Sequence, residues 1–370
     1  MRFSHLAALG AGSALVLLLQ PVAAGTAATR SQTGGVTTLP LAATQRGPAL
    51  QRDLAPRATT PFALVGVSWD DPLADLSGTV EVRTRSSATG RWSEWRELGA
   101  ERDDRPDAPS DVAAPERAGR GATAPLWVGA SDGVAVRVAS SGRPLPAGLR
   151  AELVDPGEGP AARSLPAGDR APRPGVVTRS GWGADESLRA RDFIYTGAVR
   201  VVFVHHTDTT NDYDCADAPK IIRSIYRYHV KSSGWRDIGY NFLVDKCGTI
   251  YEGRAGGVAE PVLGAHTLGF NTDSAGVAAI GTYVSTAVPQ AQVEGIAKIA
   301  AWKLGLTGRD ATGTTTLVSA SDGSRYKKGT QANFGAISGH RDAFNTQCPG
   351  ARLFDRLGDI RSLAARLQGR

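Results

Sequence analysis

The chain has 370 residues, of which 41% are hydrophobic and 21% charged. Those proportions exclude a disordered chain, and the length exceeds one ordinary domain of about 100–200 residues, so two domains behind a leader are expected. The 42 Lys and Arg against 36 Asp and Glu leave +6, an excess that fits a polyanionic surface without choosing one and is read here as solvated charge.

Arg2 and His5 precede an apolar stretch from Leu6 to Leu19, followed by Val22-Ala23-Ala24 and Thr26-Ala27-Ala28. This is the layout of a secretory signal peptide, residues 1–28, cleaved after Ala24 or Ala28. The apolar run is short for a bilayer span and has no successor. A secreted, extracellular protein without stable membrane insertion is expected. Residues 29–59, rich in Thr, Gln, Ala and Pro with no periodicity, read as a flexible linker.

From Thr60 the pattern becomes strand-like. Phe62 to Trp69 is a hydrophobic run, and Thr79-Val-Glu-Val-Arg-Thr-Arg85 alternates apolar with polar residues. Trp92 to Leu98, Leu126 to Gly129, Val134 to Val138 and Leu149 to Val154 supply further short strands. Residues 60–155 are therefore expected to form an all-β sandwich-like domain, with Glu101 to Pro125 as a long charged loop. Trp69, Trp92, Trp95 and Trp127 fall within it, either as core or as an exposed stacking platform. Residues 156–175 are a Pro-rich linker.

Residues 176–370 mix helix and strand patterns. Val199 to His206 reads as a buried strand. Asp217 and Pro219 open a helix with Ile221, Ile222, Ile225 and Tyr228 on one face. Tyr240 to Val244 and Thr249 to Glu252 make a hairpin; Ala275 to Tyr283 and Ala336 to Ser338 are strands; Gln290 to Leu304 and Phe354 to Leu367 are helices. The expected fold class is α/β, a mixed central sheet flanked by helices. Gly308 to Phe334 is a Gly, Thr and Ser-rich insertion, read as a passive loop.

Export makes three cysteines informative: one disulfide and one leftover thiol. Cys215 and Cys247 lie 32 residues apart, and closing such a loop is worth roughly 3–4 kcal/mol in the chain-entropy model. Cys348 is then unpaired and needs burial or a metal. Three of the six histidines, His205, His206 and His340, stand at strand ends. Two imidazoles and a thiolate make a possible zinc site with a fourth position open to water, the catalytic pattern. Ordinary hydrogen-bonded histidines remain the alternative at this point.

Six blocks in the second half carry a family resemblance. They are Thr178-Arg-Ser-Gly-Trp-Gly183, Val201-Val-Phe-Val-His-His-Thr207, Gly234-Trp-Arg-Asp-Ile-Gly-Tyr-Asn-Phe-Leu243, Gly248-Thr-Ile-Tyr-Glu-Gly-Arg254, Gly264-Ala-His-Thr267, and Gly339-His-Arg-Asp342 with Thr346-Gln-Cys-Pro-Gly350. Residues 178–367 resemble the peptidoglycan recognition proteins, or type-2 N-acetylmuramoyl-L-alanine amidases, and the layout is similar to that of actinobacterial members. The resemblance implies Zn2+ held by His205, His340 and Cys348, with Tyr240 and Thr346 as catalytic residues. His266 and Asn271 match residues lining the family's groove, Arg254 is a candidate for a stem-peptide carboxylate, and His206, beside the first ligand, is grouped with these substrate-side positions. Peptidoglycan is the implied partner and substrate. Asp342 is read as a local structural contact and His229 as a packed helix residue.

Two alternatives stand beside a zinc amidase: a peptidoglycan-binding receptor without turnover, and a wall peptidase using Cys348 as nucleophile with His340. No basic helix or nucleic-acid motif is visible, so no nucleic-acid partner is expected, and a monomer is. The Ala255-Gly256-Gly257 turn leaves the choice between diaminopimelate and lysine stems open.

Overall fold

The computed structural model describes residues 34–44, 51–100, 104–107, 119–159 and 173–370. The expected signal peptide and most of the expected Pro-rich linker lie outside the described residues. No described helix is long and apolar enough to cross a membrane.

The N-terminal half is built from β1 (Val36–Pro40), β2 (Ala42–Thr44), β3 (Gln51–Trp69), β4 (Gly78–Ser86), β5 (Arg96–Glu97), β6 (Gly121–Ala122), β7 (Leu126–Ser140) and β8 (Arg150–Val154). Among the described residues these form one eight-stranded antiparallel sheet with the path β1-β8-β3-β7-β4-β5, β2 and β6 pairing with β3. The β3–β7 register shifts between Leu54 and Arg57 and again between Ala58 and Leu64. Such irregularities bend a sheet and increase its twist, so the two long strands each serve two neighbourhoods. Val65, Val67 and Trp69 of β3 share one core with Val80 and Val82 of β4, Val134 and Val136 of β7, and Leu153 of β8.

The sandwich-like β domain is present but begins earlier than expected. Much of 29–59, read from sequence as a flexible linker, is strand: β1, β2 and the start of β3. The reason is physical. β1 is largely exposed and pairs with β8, Val36 opposite Val154 through Pro40 opposite Arg150, its Thr38 hydroxyl donating to Glu152 Oε2 at 2.8 Å. It therefore carries no apolar alternation to detect. The two strands expected at 126–129 and 134–138 are one, β7. Trp69 and Trp127 are core residues, whereas half-buried Trp95 stacks with the guanidinium groups of Arg83 (4.9 Å) and Arg137 (4.1 Å).

The C-terminal half contains β9 (Val176–Val177), α1 (Arg179–Trp182), β10 (Val201–His206), α2 (Ala218–Arg227), β11 (Phe242–Val244), β12 (Ile250–Glu252), β13 (Ser274–Ala279), α3 (Gln290–Gly305), β14 (Thr314–Val318), β15 (Gln331–Gly335), β16 (Ile337–Gly339), α4 (His340–Ala343), α5 (Ala351–Phe354) and α6 (Leu357–Leu367). A six-stranded sheet runs β16-β10-β13-β11-β12-β9, parallel throughout except for the β11–β12 hairpin. This is the expected mixed sheet. Val293, Ile296 and Ala300 of α3, with Ile360 and Ala364 of α6, cover one face against Val202 and Val204. Ile221, Ile222 and Ile225 of α2 pack with Leu243, Tyr251 and Ala278.

Three local expectations change. Asp217 precedes α2 without a side-chain cap bond; its carboxylate takes Lys220 Nζ at 3.1 Å instead. The closing helix expected over Phe354 to Leu367 is α6, which starts at Leu357, and the short α5 ends at Phe354 before it. The 308–334 insertion is a hairpin, β14–β15, whose Leu317 and Phe334 pack with Phe203 and Phe270. The disulfide joins Cys215 and Cys247 as expected.

The two halves share a core. Leu64, Trp127 and Val154 of the β domain cluster with Ile221, Ile225 and Tyr228. The Tyr228 hydroxyl donates to Thr123 O at 3.1 Å. A Cβ on Gly66 would lie 2.2 Å from that hydroxyl, so only glycine admits the ring. Arg223 adds bonds to Pro156 O and Gly157 O, each 3.1 Å. Among the described residues, Asp104 of the β domain lies beside His205 and His340, at the C-terminal ends of β10 and β16.

Candidate metal centre

β10 and β16 lie side by side, Val204 opposite Gly339. The next residue of each is a histidine, and the rings of His205 and His340 stand 4.5 Å apart. Asp342 sets the start of α4 by accepting the Gly339 N–H at 2.9 Å, the local contact expected for it. Cys348 arrives from the following turn, where its N–H donates to Thr346 Oγ1 at 3.0 Å. All three side chains are buried, and their ligand atoms lie within 4.8 Å of one another. Cys348 Sγ is 3.7 Å from His205 Nδ1 and accepts the His206 N–H at 3.4 Å.

These residues fit a zinc ion. Bond lengths of about 2.0 Å to nitrogen and about 2.3 Å to sulfur place a tetrahedral N–S ligand pair about 3.6 Å apart, and the His205–Cys348 spacing matches. Two imidazoles with one thiolate form a borderline-soft donor set suited to zinc. Burial, with the neighbouring His206, holds His205 down at about 3; its imidazole is therefore neutral, the form that ligates.

Strand alternation separates the two adjacent histidines. His205 faces the ligand cluster. His206 faces the other way, its Nδ1 accepting the Tyr283 N–H at 3.3 Å, and also borders a cavity of about 840 Å³ shared with Asp104, Tyr240, Thr346 and Cys348. The Tyr240 ring lies 5.5 Å from that of His205.

Two expected groove residues are placed elsewhere. His266 is fully buried behind His205, not on the groove wall; its Nδ1 lies 3.3 Å from His205 Nε2 and 2.9 Å from Thr267 Oγ1. Burial drives its pKa well below the usual value. Arg254 is turned inward, donating to Ile238 O (2.8 Å), Leu263 O (3.1 Å) and Asp237 O (3.4 Å). Its guanidinium clamps loop carbonyls rather than facing a ligand carboxylate. Asn271 holds the His266 loop through Oδ1, accepting the N–H groups of His266 (2.7 Å) and Thr267 (3.0 Å). His229 is a packed residue as read, its Nδ1 accepting the Gly239 N–H at 3.1 Å.

Sequence reasoning missed Asp104. Its Oδ1 lies 3.2 Å from His205 Nδ1 and 3.2 Å from His340 Nδ1, and its Oδ2 accepts the Tyr240 hydroxyl. It sits in the charged loop of the β domain, 101 residues before His205 and 236 before His340, with no local pattern to mark it.

Comparison with known proteins divides the chain at the same place. Residues 195–351 match the family described as N-acetylmuramoyl-L-alanine amidase, and residues 23–171 one described as Rv3811 N-terminal galactose-binding domain-like. The human N-acetylmuramoyl-L-alanine amidase is 34% identical over 187 residues, covering 50% of this chain and 28% of the human protein. Peptidoglycan-recognition protein SC2 of Drosophila simulans is 27% identical over 184 residues, covering 49% of this chain and 84% of that one. The solved structure of Drosophila PGRP-LB covers 50% of this chain and 92% of its own, with 26% identity and a TM-score of 0.39. The match thus spans well under two thirds of the human relative.

Proposed function

The C-terminal domain of this chain belongs to the N-acetylmuramoyl-L-alanine amidase family of peptidoglycan-recognition domains, and from that premise we propose that the protein is a secreted zinc-dependent amidase. Its reaction is hydrolysis of the amide between the lactyl group of muramic acid and L-alanine in peptidoglycan. The observation that carries this reading is the convergence of His205, His340 and Cys348, buried, on one point. The layout of residues 1–28 supports export.

The metal would be held by His205 Nδ1, a ring nitrogen of His340, and Cys348 Sγ. Bound there, zinc supplies a Lewis acid that polarises the amide carbonyl and brings the pKa of water towards neutrality. Tyr240 presents its hydroxyl beside the cluster, placed to donate to the oxygen on which negative charge develops. Thr346 acts through Cys348, holding the turn that aims the thiolate. His266 and Thr267 orient His205 from behind. Burial of the cluster excludes bulk water and strengthens each of these contacts.

A receptor without turnover is the competing reading, and many domains of this family bind peptidoglycan without cleaving it. The complete His-His-Cys set favours turnover. A Cys348 nucleophile would use a single imidazole partner; here two imidazoles share the thiol's position, which favours a metal. The test is digestion of purified peptidoglycan, scored for new L-alanine amino ends and new reducing sugar ends, with and without a zinc chelator. New amines without reducing ends, abolished by chelation, are expected. Chelator-resistant cleavage would move the chemistry to the thiol.

A further inference from the structure

We propose that Asp104, carried by the β domain, is a fourth protein ligand of the metal held by His205, His340 and Cys348, and that residues 104–107 lie along one wall of the cavity beside it, occupying the fourth metal position and the Tyr240 hydroxyl, so that the chain folds as a latent enzyme. The proposal rests on the zinc reading above and extends it from three ligands to four.

Geometry comes first. Two oxygen or nitrogen ligands of one tetrahedral zinc stand about 3.3 Å apart. Asp104 Oδ1 stands 3.2 Å from each of two Nδ1 atoms, which is where a ligand shared with both imidazoles belongs. That oxygen is buried and accepts no hydrogen bond among the described residues. A buried carboxylate oxygen without a donor is costly, and a cation at the meeting point of the three ligand side chains is the partner that removes the cost.

The rest of the segment is held as a ligand would be. Asp104 Oδ2 takes the Tyr240 hydroxyl, the donor assigned above to the developing oxyanion. Asn271 Nδ2 donates to Arg105 O at 3.1 Å. The Asp107 carboxylate accepts the N–H of Gly269 and, at 3.3 Å, that of Asn271. Pro106 restricts the chain between these anchors. The contacts run from the metal point along the wall formed by 268–271, and they use both the fourth coordination position and the oxyanion donor.

The docked β domain explains how such a weak, single carboxylate competes with water. Leu64, Trp127 and Val154 pack against α2 and Tyr228, so the segment is presented intramolecularly at high effective concentration. Turnover then requires Asp104 to leave the metal and Tyr240 together, vacating one position for water and another for the substrate carbonyl.

The experiment reads the metal rather than the reaction. Zinc in the full-length wild type, Asp104→Asn and Asp107→Asn chains is exchanged for cobalt(II), and each is titrated with azide while the visible d–d bands are followed. The thiolate-to-cobalt charge-transfer band reports that Cys348 is bound. In the wild type the fourth position is filled, so azide is expected to perturb the spectrum only at concentrations about tenfold or more above those needed for Asp104→Asn. Asp107→Asn, which loosens the segment without touching the metal, should fall between and keeps the test decisive if the first variant misfolds. Equal azide affinity in wild type and both variants would overturn the proposal while leaving a three-ligand site intact. A wild type with no thiolate band would overturn the zinc reading itself, and this proposal with it.

Discussion

His205 Nε2 lies 3.3 Å from His266 Nδ1 and 3.4 Å from Thr267 Oγ1, while His205 Nδ1 faces Cys348. The ring is therefore gripped from behind by one nitrogen and offered forward by the other. A Cβ on Gly276 would lie 2.4 Å from the His266 ring, so the β13 glycine is what lets this support fit. His266→Phe keeps bulk but removes the polar contact. Zinc affinity, measured by competition with a chromophoric chelator, is expected to drop about 10–100-fold with the near-UV spectrum retained. Unchanged affinity would reduce His266 to packing.

Tyr240→Phe separates chemistry from metal binding. The ring stays beside His205, but the hydroxyl is lost. The expected result is a fall in kcat of roughly 10²–10³-fold with zinc content and KM near wild type. A change confined to KM would make Tyr240 a binding residue only.

The acid response has a sign that one residue can test. Burial first, and the Arg254 charge second, hold His229 down at about 3, against about 6.5 in an unfolded chain. Between those values the unfolded state binds more protons. The stability linked to His229 is therefore full above about pH 6.5 and is lost as pH falls towards 3. His229→Gln removes the titrating group. Its Tm should fall less than that of the wild type between pH 7 and pH 4.5, whatever its value at pH 7. Parallel losses would place the acid sensitivity elsewhere.

Domain docking has its own probe. Gly66→Val forces a side chain into the Tyr228 ring, and overpacking of this kind costs roughly 1–3 kcal/mol. Denaturant unfolding should show that loss. In the Gly66→Val, Tyr228→Ala double variant part of it should be recovered relative to Tyr228→Ala alone. Purely additive losses would mean the two residues do not meet.

Much of the site was legible because its residues lie in short blocks with distinctive composition. A β-branched run ending in two histidines, a Gly-His pair and a third cysteine outside the disulfide mark a possible zinc site, and the family resemblance is what selects His205, His340 and Cys348 from it. Period-two alternation alone separates His206 from His205. Other roles were invisible for physical reasons. An arginine in a Gly-rich turn looks available for an anion, yet Arg254 spends its donors on three carbonyls that no local pattern marks. His266 sits in a loop, and only the packing of β13 and Asn271 reveals that it faces His205 rather than the groove. β1 is an exposed edge with no apolar period. Asp104 reaches the centre through tertiary docking across Gly66 and Tyr228, and that distance lies beyond any sequence window.

The central claim is that metal held by His205, His340 and Cys348 cleaves the muramyl–L-alanine amide. Its most direct measurement is a zinc titration of metal-free protein, wild type and Asp104→Ala in parallel, on purified peptidoglycan. The readout is new L-alanine amino ends per equivalent of zinc. Release should be absent without metal, rise with added zinc and break at about one equivalent per chain, with the greater slope in Asp104→Ala. Amine release by the metal-free protein at the same rate would contradict the account.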